Sequence, residues 1–362
     1  MSDNITQVNY SLFEEDDFTK DCPNSPFIPT VMPPVKRIIA IGDIHGDLNL
    51  AVRSFILASL IDKDLNWIAK PPDTVVVQVG DQIDSCRPGQ GMPPCHEEKQ
   101  SWDNQEDIKV MDFFDAMDKK ARAVGGAVIS LLGNHEMMNV MGDFRYASYT
   151  NSHEFDYDDK IQKYKGIDGR REVFARGSKF VNNMACTRNS VVIIGSNIFA
   201  HAGVLPILAR KLEHLNLGNK DKIKYLNKVV RKWLMKKNTT QEVSNLINDP
   251  QSSPFWIRIY GNIPMGKTLE SNECEIVKNA IDTFKIGNII VGHTPQLMMK
   301  DRNGINGTCK DDTGVNRLYR IDGGFAKGFK VWKNHNVVEV LEIIDDNKFN
   351  ILREEDFIIN NY

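Results

Sequence analysis

Three β-branched runs, RIIAI, TVVVQV and AVISLL, each stop at a Gly-Asp or Gly-Asn pair. Apolar runs of this length suit short buried strands, and the intervening SFILASLI and IKVMDFFDAMDKKARAV carry the spacing of helices. The resulting β-α-β-α-β order puts polar side chains at the carboxyl ends of neighbouring strands, which is where open α/β sheets bind ligands. Later runs, SVVIIGSNIFAHAG, NIIVGHTP, RLYRID and NVVEVLEII, supply more strands. The last of them alternate as antiparallel strands do, so a second sheet packed on the first is expected.

Five signatures sit at the ends of apolar runs: GDIHGD, GDQID, GNHE, HAG and GHT. Together they offer two Asp, three His and one Asn where strands end, the ligand supply of a two-metal phosphoester hydrolase. Asp43 and His45 stand two apart, so an extended backbone would turn both toward one cation. Asp81 has two carboxylate oxygens and can bridge cations about 3.5–4 Å apart. Asn134, His201 and His293 would serve the second cation. Mixed oxygen and nitrogen donors without thiolate suit Mn, with Fe or Zn as alternatives, better than Ca. A pair of such ions makes a bound water acidic enough to attack phosphorus, so no protein nucleophile is needed. The leaving oxygen still requires a proton. His135, beside Asn134, is placed to give it, and Asp84 can hold the other ring nitrogen and favour the protonated form. His96, His153, His214 and His335 lie outside the signatures and are given ordinary structural roles.

Composition narrows the partners. Lys+Arg 45 against Asp+Glu 48 gives a net charge of -3, so no global basic field draws the chain to nucleic acid or an anionic membrane. Phosphate affinity must come from a local site. No apolar run reaches the ~18 residues that span a bilayer, and the acidic first stretch lacks a signal-peptide core. A soluble cytoplasmic protein is expected. Six cysteines show no CxxC and no regular framework, which suits a reducing compartment, although Cys86 and Cys95 flank a Pro/Gly-rich loop and could form a labile pair. Residues 1–34 read as an acidic, Pro-rich tail or strap, and residues 35–362 as one catalytic domain with inserts near 85–107, 142–188 and 205–249. The Lys-rich helix of the last insert reads as a solvated face.

The GDIHGD, GDQID, GNHE, HAG and GHT blocks make the chain similar to the phosphoprotein phosphatases of the calcineurin-like metallophosphatase family. Within it, LLGNHEMMNVMGDFRYAS, SPFWIRIY and IDGGFAKGF resemble the bacterial-like branch, the Shewanella-like protein phosphatases. The resemblance implies a four-layer αββα fold in which two mixed sheets form a sandwich flanked by helices. It implies the metal ligands Asp43, His45, Asp81, Asn134, His201 and His293, the proton donor His135 and its partner Asp84. It also implies a phosphoserine or phosphothreonine, or else phosphotyrosine, protein as substrate. One departure stands out. The family usually follows GDxxD with an Arg that grips phosphate, whereas Ser85 and Cys86 occupy that place here and Arg87 comes later. Arg145 and Arg258 are expected to supply the grip, with Arg87 third, because a guanidinium fork matches phosphate oxygens. Hydrolysis of a small phosphoester or a dinucleoside polyphosphate, and a catalytically weak scaffold, are the competing readings.

Overall fold

The computed structural model describes residues 14–88, 93–100, 103–156, 165–237, 240–302, 304–329 and 337–354; His335 lies outside them. Among these residues the strands are β1 (Val31–Met32), β2 (Arg37–Ile41), β3 (Val75–Gln78), β4 (Ala127–Leu131), β5 (Arg188–Asn189), β6 (Val191–Ile194), β7 (Asn197–Ala200), β8 (Asn288–Val291), β9 (Asn306–Lys310), β10 (Asn316–Arg320), β11 (Glu339–Ile344) and β12 (Lys348–Arg353). They form two six-stranded sheets, in the orders β12-β11-β2-β3-β4-β5 and β1-β6-β7-β8-β10-β9. Both are mixed. The β2-β3-β4 ladder is parallel and β11 joins it antiparallel, while β8 runs parallel to both β7 and β10.

The two-residue period of a strand decides the layering. Ile38 and Ala40 point one way, toward Val192, Phe199, Ile290 and Ile321 of the other sheet. Ile39 and Ile41 point the opposite way, onto the helices Leu48–Leu57 and Asp107–Arg122. The second sheet likewise buries Ile193, Ile198 and Ile289 under the helices Asn219–Leu234 and Glu275–Phe284. This is the expected four-layer arrangement.

Three sequence expectations need correction. Residues 14–32 are part of the fold: a helix over 14–21 is followed by β1, which pairs with β6. Only two residues of this Pro-rich stretch pair, at a sheet edge where proline's missing N–H is tolerated. The basic face of Asn219–Leu234 is covered by that acidic helix, with Arg231 and Lys232 on Asp17 at 2.8 and 2.9 Å and Lys237 on Asp21 at 2.7 Å. The cysteines are not separate thiols. Cys22–Cys186, Cys86–Cys95 and Cys274–Cys309 are disulfides, two of them joining segments too far apart in sequence for spacing to reveal, and such pairing suits an oxidising compartment. Among the described residues no helix is long and apolar enough to cross a membrane.

Candidate metal centre

The five signatures meet at the carboxyl edges of β2, β3, β4, β7 and β8. Each turn after a strand is tight, and four side-chain-bearing residues there take left-handed backbone: His45 (φ 47), Asp81 (φ 53), Asp84 (φ 73) and His293 (φ 67). His45 is therefore not on extended backbone as an i, i+2 pairing with Asp43 assumed. The turn instead folds over, with the N–H groups of Ile44 and His45 both donating to the Asp81 carbonyl at 3.0 and 2.9 Å. Gly133 permits a close approach. A Cβ there would stand 2.2 Å from Asp81 Oδ1, so the GNHE turn can lie directly on the Asp81 carboxylate.

The hydrogen bonds fix which ring nitrogens face inward, because a carbonyl oxygen can only accept. His201 Nδ1 donates to the Val79 carbonyl (3.0 Å) and His293 Nε2 to the Trp256 carbonyl (3.1 Å). Their other nitrogens, both bare lone pairs, lie 3.1 Å apart, and each is 2.8 Å from Asn134 Oδ1. Three acceptors thus converge with no proton between them, an arrangement that a cation satisfies. His45 follows the same logic: Nδ1 donates to the Ile83 carbonyl at 3.2 Å, leaving Nε2 toward Asp43 (3.9 Å) and Asp81 (3.7 Å). Asp81 Oδ2 is also 3.4 Å from His201 Nε2 and 3.8 Å from His135 Nε2. Two groups of donor atoms result, His45–Asp81–His135 and Asp81–His201–His293, with Asp81 common to both. Asp43 borders them and accepts from the His293 N–H at 3.1 Å.

His135 and Asp84 form a pair, Nδ1 to Oδ2 at 2.8 Å, leaving Nε2 on the inner side. The same Asp84 oxygen accepts from Asn139 at 3.0 Å, and its partner oxygen lies 3.4 Å from Arg170. Arg170 is fully buried and also donates to Asp107 (2.7 Å) and Asn139 (2.7 Å). The insert over 142–188 therefore supplies a guanidinium that braces the dyad from behind. Nothing in that polar stretch singled Arg170 out. Glu136, inside GNHE, has a structural task that the ligand pattern does not signal: its carboxylate accepts from the N–H groups of Gly133 (2.7 Å), Asp81 (3.0 Å) and Gln82 (2.8 Å) and locks two turns together.

The candidate phosphate-binding arginines stand in different places. Arg145 is exposed and forked onto Asp143 at 2.7 and 3.0 Å. Arg258 is exposed at the rim and donates to the His293 carbonyl at 3.1 Å. Arg87 is half-buried between two rings, 4.5 Å from the Phe329 centroid and 5.4 Å from that of Tyr146. Those rings in turn touch His45 (5.5 Å) and His135 (4.9 Å), so Arg87 borders the centre directly.

Burial sets the electrostatics. It pushes the Asp43 carboxyl well up, and repulsion from Asp322 and Asp81 adds to this. Glu136 and Asp322 are each raised to about 7, again chiefly by burial. His135 is pushed down to about 3 by burial, with Arg87 opposing its protonation and Asp81 only partly offsetting this. Asp84 fixes the ring through Nδ1, while burial disfavours its charged form. Asp84 itself is raised to about 6 by burial, against the pull of Arg170. A set of carboxylates that repel one another beside neutral imidazoles fits divalent cations on the chemistry of its donors.

These shifts have a signed consequence for stability. Buried histidines held neutral cost stability only as pH falls below their unfolded value of about 6.5. Above that, the raised carboxyls at about 7, and Glu154 at about 8, still keep protons that the unfolded chain has lost. With chelator present, the melting temperature is expected to fall between pH 6.5 and 8.5, and excess Mn to raise it more at pH 8.5 than at 6.5. Melting curves across that range decide it; a chelated protein that gains stability with rising pH would contradict the assignment.

Residues 36–297 match the calcineurin-like phosphoesterase family. An uncharacterised protein, R398, of Acanthamoeba polyphaga mimivirus is 54% identical over 248 residues, covering 67% of this chain and 98% of that protein. Shewanella-like protein phosphatase 2 of Arabidopsis thaliana is 28% identical over 351 residues, covering 88% of this chain and 77% of its own length. The cold-active protein-tyrosine phosphatase of a psychrophilic Shewanella species has a similar fold, with a TM-score of 0.61 at 19% identity, covering 90% of this chain and 83% of that one.

Proposed function

This chain belongs to the calcineurin-like phosphoesterase family, and we propose that it is a dinuclear-metal phosphomonoesterase acting on phosphorylated protein or peptide. The observation that carries the reading is the convergence of the His201 and His293 lone pairs on the Asn134 oxygen, with Asp81 shared by the neighbouring His45 group. Asp43 and His45 would hold one ion, Asn134, His201 and His293 the other, and Asp81 would bridge them; Mn is the preferred ion, with Fe or Zn as alternatives. Bound there, the ions supply an acidified water for attack on phosphorus and a clamp on the phosphoryl oxygens.

The chain's own groups do the rest. The Arg87 guanidinium is held between two rings and by the carbonyls of Asp84 and Cys86, which fixes its planar fork beside the centre, and such a fork suits phosphoryl oxygens. Arg258 stands at the rim beside His293. Arg145, engaged by Asp143 in the open, has no part in this reading. His135 turns Nε2 toward the leaving oxygen while Asp84 fixes the ring. Its imidazole is neutral until a phosphate dianion arrives beside it, and that charge raises its proton affinity at the moment a donor is required. Substrate class rests on the protein phosphatases among the relatives.

Phosphate release from phosphoserine, phosphothreonine and phosphotyrosine peptides, measured against diadenosine tetraphosphate with Mn present, tests the proposal. Peptide turnover is expected to dominate, and Arg87→Ala to raise KM about 10- to 100-fold, the worth of charged hydrogen bonds, with metal content unchanged. Preference for the dinucleotide would replace the protein substrate with a small one. Two bound ions with no turnover at any pH would leave a scaffold.

A further inference from the structure

One buried carboxylate beside the centre has no task in the scheme above. Asp322 follows β10, the neighbour of the strand that precedes His293, and the Ile321 N–H donates to the Val291 carbonyl at 2.7 Å. Across the sandwich, the Gly42 that precedes Asp43 lies against this stretch. A Cβ on Gly42 would stand 2.0 Å from the Ile321 carbonyl oxygen and 3.2 Å from the Asp322 Cα. Asp43 and Asp322 are thus brought together by a backbone contact that only glycine allows.

Asp322 is 1% exposed. Its Oδ1 accepts from the Gly324 N–H at 2.9 Å, and its Oδ2 has no hydrogen-bond partner among the described residues. A turn of this kind needs one oxygen, and Asn or Ser would provide it without a charge. A buried carboxylate with half its acceptor capacity unused is costly unless something compensates it. The nearby protein cations do not bond to it: Arg87 donates to the carbonyls of Asp84 and Cys86, and Arg258 to that of His293. Its carboxylate neighbours aggravate the cost, since Asp322 repels Asp43 more strongly than Asp81 does.

We infer that Asp322 is a further carboxylate of the metal centre, adding negative charge and a free acceptor oxygen beside the cation position that Asp43, His45 and Asp81 define. It is a positioning residue, and the inference rests on the reading of the centre as a metal site. Outer carboxylates of this kind typically change metal affinity about 10- to 100-fold.

Calorimetric titration of the full-length, metal-free protein with Mn tests it, using Asp322→Asn and Asp322→Ser. Both variants retain an oxygen for the Gly324 N–H and lose the charge. One of the two Mn sites is expected to weaken about 10- to 100-fold while the other stays near its wild-type affinity, and raised Mn is expected to restore turnover. Variants that fold and bind two ions as the wild type does would reduce Asp322 to a turn former. Variants whose metal-free form is more stable than the wild type's, the repulsion with Asp43 being relieved, would support the inference, and variants that fold under neither condition would overturn it. A wild-type protein that binds no Mn would instead remove the proposed function itself.

Discussion

Asp81→Asn is expected to abolish phosphate release without unfolding the protein. Asp81 is the one side chain common to both groups of donor atoms. Its Oδ1 takes the His135 N–H at 2.9 Å, a bond that an asparagine oxygen would keep, so the GNHE turn has reason to stay in place. Its Oδ2 lies 3.4 to 3.8 Å from nitrogens of His201, His45 and His135. An amide there withdraws a full negative charge from both ion positions and points N–H donors where the ions would be. Loss of metal and loss of turnover should therefore coincide. Metal analysis, a melting curve and hydrolysis of p-nitrophenyl phosphate together give the answer, and activity within tenfold of the wild type would remove Asp81 from the bridging role.

His135→Ala is expected to act differently: turnover falls by about 10²–10⁴, the usual worth of a general acid, while both ions remain. The distinction is chemical. A serine or threonine alkoxide leaves only with a proton, whereas p-nitrophenolate is stable enough to leave without one. The loss should be large on phosphopeptides and small on p-nitrophenyl phosphate. Because His135 Nε2 also falls within reach of His45 and Asp81, metal analysis of this variant is the control. Loss of one ion would make His135 a ligand, and an equal loss on both substrates would make it a support for the turn.

The two-sheet layering and the helices between the first strands were readable because the apolar runs are short, β-branched and punctuated by glycine, and the positions of the signatures followed from the ends of those runs. What failed depended on contacts distant in sequence. Cys22 and Cys186 are 164 residues apart, and no local pattern announces such a pair. The acidic stretch before Cys22 read as a tail because its partners, Arg231 and Lys232, belong to an insert that looked solvated. Arg87 ranked last among the arginines because it is displaced from the usual place, yet Phe329 and Tyr146, one from the far end of the chain, bring it to the centre. Arg170 and Asp322 act through buried bonds and charge, which sequence spacing does not encode. Asp322 even lies in a block that looked familiar, but a familiar block does not say which oxygen lacks a partner.

The left-handed turns at His45, Asp81, Asp84 and His293 carry one further implication. Each non-glycine residue held in that region costs on the order of 1 kcal/mol or more, and the expense falls on the scaffold whether or not an ion ever arrives. Glycine would relieve the kink at each position, but only by discarding the side chain for which the kink exists. Selection for a sturdier molecule and selection for chemistry therefore pull these four positions in opposite directions, and the thick two-sheet framework around them is what lets chemistry prevail.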